Sequence, residues 1–391
     1  MRDGSPRVLR AMNERAALYA LLTSGPLARV ELERAIGLSK PAAADLLSRL
    51  ERDDLVVRSG LRAAGGPGPQ AQLWHVNARA GHAVGVDVTA TGVDAAVADL
   101  TGTVIGSSRI DWAGGTATDP VAPVRSTVTA ALRSGGVRWR DVRHLVVGVP
   151  GSVDPDTGRL EYAPHLPGFA GFDVRQRFSR RLRVPVTVEN DVNLVAVDEL
   201  TRGAATGLRN VLLLWMDRGV AAGLILDGRL VRGSRGGAGE IDRVPTADGR
   251  PVRELVSEAA VRALASEHGG TARDATTAVR RAVADGSGLL PVLADRIAAV
   301  SAMTVAAFDP ELVVLAGGIG YAGGDALAEL VHERLTTVLK QRPRVVAGTG
   351  GAQAVRHGAL QAALRRAREA VFGRGAPATS TVDSTEGTVA G

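Results

Sequence analysis

Two short helices joined through a glycine, a charged hairpin behind them and a long alternation of strands and helices predict an α/β protein. Its N-terminus reads as a winged helix-turn-helix, and a larger domain follows. At 391 residues the chain exceeds what one hydrophobic core usually organises, so more than one domain is expected. Hydrophobic residues at 45% beside 23% charged ones fit a folded protein rather than a disordered one.

Residues 13–23, NERAALYALLT, carry apolar side chains at helical spacing behind an Asn able to cap, which predicts a helix over 13–24. SGP at 24–26 stops it, and ARVELERAIG gives a second helix ending at Gly37. In LSKPAAADLLSRLERDDLV, Ser39 can accept a backbone N–H as N-cap, Pro41 suits the first turn, and Leu46, Leu47 and Leu50 form one apolar face. LVVRSGL at 55–61 and AQLWHVN at 71–77 read as strands on either side of the loop AAGGPGPQ, the hairpin of a wing.

In such a domain the start of the third helix enters the major groove and the wing touches backbone or minor groove. Ser39, Lys40, Ala42 and Ala43 are therefore candidates to face bases or phosphates, and Arg49, Arg58 and Arg62 to neutralise phosphates. Charge agrees: residues 1–80 hold 12 Arg and Lys against 8 Asp and Glu, which is +4 of the chain's +6. Alanines at 42–44 offer methyl contacts only, so the operator sequence is not readable.

The absence of cysteine excludes disulfides, thiolate metal sites and cysteine nucleophiles. The seven histidines form no HxxxH or HExxH array, so no metal is expected. No apolar run reaches the roughly 18 residues of a membrane span, and MRDGSPRVLR carries charge where a signal peptide needs an apolar core. A cytoplasmic protein is expected, with no membrane partner.

From His82 the pattern becomes strands at 82–89, 92–99 and 103–110, a helix near 119–134, a buried strand at 145–151, a helix near 173–181 and then PVTVEND. GVPGSVDPDTG at 148–158, VENDVN at 188–193, GLILDGRLVRGSRGGAGEI at 223–241, FDPELVVLAGGIG at 308–320 and GAQAVRHGALQAAL at 351–364 follow in order. On these segments the chain resembles the ROK family of repressors and sugar kinases, from the winged helix to about residue 370. That resemblance implies a two-lobed, actin-like ATPase fold.

The chain departs from the family's kinases at both phosphate segments. Where they have D-x-G-G-T, Asp87, Val88, Thr89, Ala90 and Thr91 stand here; where they have G-T-G-x-G, Asp217, Arg218, Gly219, Val220 and Ala221 stand. Cβ atoms replace the glycines that let phosphate oxygens approach, and Asp217 adds negative charge. Both changes oppose nucleotide binding, so no enzymatic activity, no catalytic residue and no cofactor are expected.

The resemblance also implies which residues hold sugar: the Asn and Asp of E-N-D, the Glu and His of G-E-I-G-H, and a Glu after a cysteine-rich zinc loop. Asn190, Asp191 and Glu240 are retained, Asp191 at the position of the kinase base. Asp242 and Arg243 replace the Gly-His pair, and TADGRPVRE replaces the zinc loop, with Glu254 matching the last Glu. The effector-binding candidates are Asn190, Asp191, Glu240, Arg243 and Glu254. An amide beside carboxylates suits a hydroxyl-rich ligand. The competing reading is that Asn190 and Asp191 cap a helix beginning near Leu194 while Glu240 forms an ion pair.

The expected organisation is a winged helix-turn-helix over 1–78, a ROK domain over 79–372 with lobes of about 79–190 and 191–372, and a disordered tail over 373–391. The expected function is a transcriptional repressor of sugar-utilisation genes. Its partners would be double-stranded operator DNA and a sugar or sugar derivative, and it would act as a homodimer or dimer of dimers. Two alternatives stand beside it: a sugar kinase with an appended winged helix, and a regulator that needs no ligand.

Overall fold

The computed structural model describes residues 6–62, 70–111, 121–162, 173–270 and 272–373. The loop read over 63–70 and the tail read over 373–391 lie outside them but for their end residues. The chain divides into two compact units, residues 1–82 with 99–103 and 365–391, and residues 83–98 with 104–364.

The first unit contains α1 (Pro6–Ser24), β1 (Leu27–Ala28), α2 (Arg29–Ile36), α3 (Lys40–Arg52), β2 (Val56–Arg62) and β3 (Ala71–Val76). Helix α1 starts earlier than the reading from residue 13, with Pro6 at the first position, where its missing N–H costs nothing. Asn13 is therefore interior, not a cap. Gly37 adopts a left-handed φ of 68° and returns its N–H to the Glu33 carbonyl, which turns the chain from α2 into α3. Ala43, Leu46, Leu47 and Leu50 are buried at spacings of three and four, the apolar stripe of an amphipathic helix. The antiparallel sheet has the order β1-β3-β2.

The second unit opens with β4 (His82–Thr89), β5 (Gly92–Asp99), β6 (Val104–Asp111), α4 (Val121–Ser134) and β7 (Val142–Val149). The short pair β8 (Ser152–Val153) and β9 (Leu160–Tyr162) follows, then α5 (Val174–Leu182), β10 (Val186–Asn190) and α6 (Asp191–Arg202). Five strands form a sheet of order β10-β7-β4-β5-β6, and β10 lies parallel to β7 with Val188 opposite Val147. Strand β7 ends in the buried run LVVGV, and every residue of β10 except Thr187 is buried, as in strands covered on two faces.

A second five-stranded sheet comprises β11 (Val211–Met216), β12 (Val220–Leu226), β13 (Arg229–Leu230), β14 (Leu312–Ala316) and β15 (Arg344–Ala347), in the order β13-β12-β11-β14-β15. Helices α7 (Arg253–Val256), α8 (Glu258–Glu267), α9 (Ala275–Asp285), α10 (Leu289–Phe308), α11 (Gly317–Val338) and α12 (Ala354–Phe372) complete the chain. Leu212, Leu214, Val313 and Leu315 meet Leu293, Ile297 and Val331 in one apolar cluster.

Among the described residues, α10 is a candidate membrane span, with Asp295 and Arg296 interrupting its apolar run. Its 20 residues pass by length and composition. Half of that stretch is buried, Leu290, Leu293 and Ile297 within the core, as in a core helix of a folded domain.

Candidate functional site

Strand β10 ends at Asn190 and α6 begins at Asp191, so the two polar side chains fall at the junction of a buried strand and a helix N-terminus. Asn190 Oδ1 accepts the Asn193 N–H at 2.9 Å, and its Nδ2 donates to the Gly151 carbonyl at 3.1 Å. The amide thus caps α6 and holds the turn after β7. Asp191 Oδ1 accepts the Val192 N–H at 2.8 Å. Helix α6 starts three residues before the competing reading placed it, and the capping half of that reading applies to Asn190.

Both side chains line a cavity of about 400 Å³ together with Glu240, Arg243 and Trp215. Val88, Thr89 and Ala90 form another part of its wall, and residues 217–221 a third. Asp217 sits at the start of α11, where its Oδ2 accepts the Gly318 N–H at 3.2 Å and its Oδ1 the Arg218 N–H at 2.8 Å. The carboxylate thereby faces the positive end of a helix. Asp242 accepts the Val220 N–H at 3.0 Å and pairs with Arg253 at 3.3 Å, which fixes the cavity's edge.

Glu240 reaches the cavity on the loop between β13 and α7. The loop packs with no room for side chains at two points: a Cβ at Gly236 would stand 1.9 Å from the Val153 carbonyl, and one at Gly239 1.9 Å from the Ala222 carbonyl. Close packing therefore accounts for glycine at 236 and 239 of SRGGAG.

Burial sets the electrostatics. The Asp191 carboxyl is pushed up to about 7, first by burial, against the Val192 N–H that favours its anion, and further by the Asp87 and Glu240 charges. Asp87, on β4, is also pushed up to about 7, by burial and then by Asp94. Glu240 is raised by burial and by Asp242. Asp191, on the cavity wall and pushed up to about 7, can both donate to and accept from ligand hydroxyls near neutral pH.

The structure brings together Asn190, Asp191, Glu240 and Arg243 but not Glu254, which is exposed on α7 outside the cavity. Successive helical residues point about 100° apart, so it is the neighbouring Arg253 that lines the wall. Trp215 and Arg253, which line the cavity, were not singled out from sequence as site residues.

The N-terminal candidates also divide. Ser39 and Lys40 are exposed and Ala42 half-buried at the start of α3. Ser39 has the extended backbone of an N-cap, but its side chain makes no capping hydrogen bond. Ala43 is corrected: it is 1% exposed, because it lies three and four residues from Leu46 and Leu47 on the core face. Arg49 is corrected too, since it bonds Glu14 at 2.8 Å and also Asp45, and its charge is spent inside the unit. Arg58 pairs with Glu51 at 3.0 Å and lies over the Trp74 ring at 5.0 Å. Arg62 pairs with Glu31 at 2.9 Å and donates to the Pro26 carbonyl. Both pairs are exposed.

Residues 83–366 match the sequence model of the ROK family. A glucokinase of Halalkalibacterium halodurans is 26% identical over 62% of this chain and 82% of its own length. A xylose repressor of Bacillus subtilis is 24% identical over 60% of this chain and 60% of its own. Among solved structures, a ROK family transcriptional regulator described as a homolog of the E. coli MLC protein superposes with a TM-score of 0.70 at 19% identity, covering 93% of this chain and 97% of that one. The α/β, actin-like fold of the family is thus present.

The expectation of a chain without enzymatic activity is corrected by these findings, because a glucokinase stands among its relatives and points to kinase activity. The physical reason is that replacing the glycines at 89–90 did not close the wall. Thr89 and Ala90 still line one cavity with Asn190 and Asp191.

Proposed function

We propose that this chain, which belongs to the ROK family, is a DNA-binding transcriptional regulator, a repressor of sugar-utilisation genes. It senses a sugar or sugar derivative at Asn190, Asp191, Glu240 and Arg243. The observation that carries the reading is the element order of the first unit: two helices joined through the left-handed Gly37, then a two-stranded hairpin. That is the order of a winged helix-turn-helix. The regulator structure covers 93% of this chain while the family model spans only 83–366, which supports the same reading.

Residues 1–78 then carry DNA binding and 79–372 effector binding and dimerisation, in the cytoplasm, with a two-fold operator matching a homodimer. Ser39, Lys40 and Ala42 meet the major groove. Arg58 and Arg62 exchange their carboxylates for phosphates, since exposed pairs of this kind hold by about 1 kcal/mol or less.

Fluorescence anisotropy on duplex DNA from upstream of its own gene is the test. Expected are tighter binding than to unrelated duplex, affinity that falls with salt, a salt slope smaller by about 1 in Lys40→Ala, and release by one member of a sugar panel. Equal affinity for both duplexes at every salt concentration would sink the reading.

A second reading, phosphoryl transfer from ATP to a sugar, is favoured by the glucokinase relative and by Asp191, whose carboxyl titrates near 7 where a general base is useful. ATP turnover that requires a hexose and is lost in Asp191→Asn establishes it, and its absence across the panel removes it.

A further inference from the structure

Glu189, one residue before the cap of α6, is 6% exposed and takes hydrogen bonds from two elements at once. Its Oε1 accepts the Asn190 N–H at 3.1 Å and Asn193 Nδ2 at 3.0 Å. Its Oε2 accepts Arg232 Nε at 2.6 Å. Arg232 stands at the root of the glycine-rich loop whose far end carries Glu240, and its carbonyl accepts the Ala238 N–H at 3.1 Å. The loop is held along its length by the Ser152 hydroxyl on the Arg235 carbonyl at 3.4 Å and by the Ala222 N–H on the Gly239 carbonyl at 2.8 Å.

When both are ionised, Asp191 and Glu240 repel each other and push the two elements apart. The Arg232–Glu189 ion pair, on the same two elements, pulls them together.

We infer that Arg232 is a positioning residue of the cleft: through Glu189 it fixes the spacing between the Asn190–Asp191 corner and Glu240, and so sets the distance between the hydroxyl acceptors. The inference rests on reading the cavity as a sugar cleft. A charge-assisted bond to a buried carboxylate is directional, and its loss leaves Glu189 buried with only two amide donors. The loop is then free to shift under the repulsion of Asp191 and Glu240.

Calorimetry of the full chain with glucose, xylose and N-acetylmannosamine identifies a binding sugar. Arg232→Met then weakens that sugar by about tenfold or more, and Arg232→Lys retains most of the affinity. In a Glu240→Gln background the same Arg232→Met step has an effect of less than about threefold, because there is no carboxylate left to place. Hydrogen exchange of the unliganded chain gives a second readout: Arg232→Met speeds exchange over 233–241 by about tenfold while β11 is unchanged.

Wild-type exchange over 233–241 in Arg232→Met overturns the inference, as does an Arg232→Met effect of equal size with and without Glu240. If no sugar binds the wild type yet exchange over 233–241 rises, the sugar reading falls and the positioning role stands.

Discussion

At the scale of single residues, the cleft is governed by carboxyls that burial keeps from ionising at their ordinary pH. The folded Asp191 carboxyl titrates near 7, whereas an unfolded aspartate titrates near pH 4, at about 3.9. Between those values the folded chain holds a proton that the unfolded chain has released, so stability falls as pH rises through that window and levels off above about 7. Asn cannot ionise and can still accept the Val192 N–H. Asp191→Asn should therefore stabilise the chain at pH 8 by roughly 2–4 kcal/mol, with the difference fading towards pH 4. Thermal unfolding of both proteins across that range checks it, and equal melting points at pH 8 would sink it. The same substitution removes a hydroxyl acceptor, so sugar affinity falls even as stability rises. That opposition separates a ligand-binding carboxyl from one that only supports the fold.

At the scale of elements, the glycine-rich loop behind Glu240 shows which backbone positions the site depends on. Gly239 has φ of +88°, and an added Cβ would stand 1.9 Å from the Ala222 carbonyl, so Gly239→Ala meets both strain and overlap. Gly249 has φ of +82° with open space around it, so Gly249→Ala meets strain alone. Urea unfolding should show a loss of about 3 kcal/mol or more for the first and about 1 kcal/mol for the second. Similar losses at the two positions would mean that close packing does not hold this loop. Helix α3 was legible in sequence because Leu46, Leu47 and Leu50 repeat at helical spacing and Gly37 marks the turn before it. The start of α1 was not, because Asn13 offers a capping side chain in a segment that Pro6 had already begun. Asn190, Asp191 and Glu240 were legible from motif order. The burial of Ala43, the pairing of Arg49 with Glu14 and the displacement of Glu254 depend on which face of a helix meets which neighbour. Asp87 was read only as part of the altered D-x-G-G-T segment, and its raised affinity for a proton was not legible for a related reason: it comes from burial and from Asp94 on the adjacent strand, seven residues away in sequence.

At the scale of the whole chain, the first unit is not a continuous stretch of sequence. It combines residues 1–82 with 99–103 and with the end of α12 from Arg365 onward. Phe372 is 4% exposed and meets Tyr19 of α1 edge to face, with ring centroids 5.6 Å apart. Arg368 Nε donates to the Leu100 carbonyl at 2.9 Å, and the Leu100 N–H donates to the Ala78 carbonyl at 3.2 Å. The helices proposed to bind DNA therefore draw part of their core from the other end of the sequence. Removing a buried Phe side chain costs about 3–5 kcal/mol through lost contacts and the cavity left behind. Phe372→Ala in the full chain should thus speed hydrogen exchange across α1–α3 while β11, in the other unit, exchanges as in the wild type. It should also weaken operator binding at temperatures where the first unit begins to melt. Sugar affinity measured on the same preparation should stay unchanged, because Asn190, Asp191 and Glu240 are held by the second unit. Unaltered exchange over α1–α3 would show that residues 1–82 hold their fold without the C-terminal helix, and the composite core would then have no mechanical part in DNA binding.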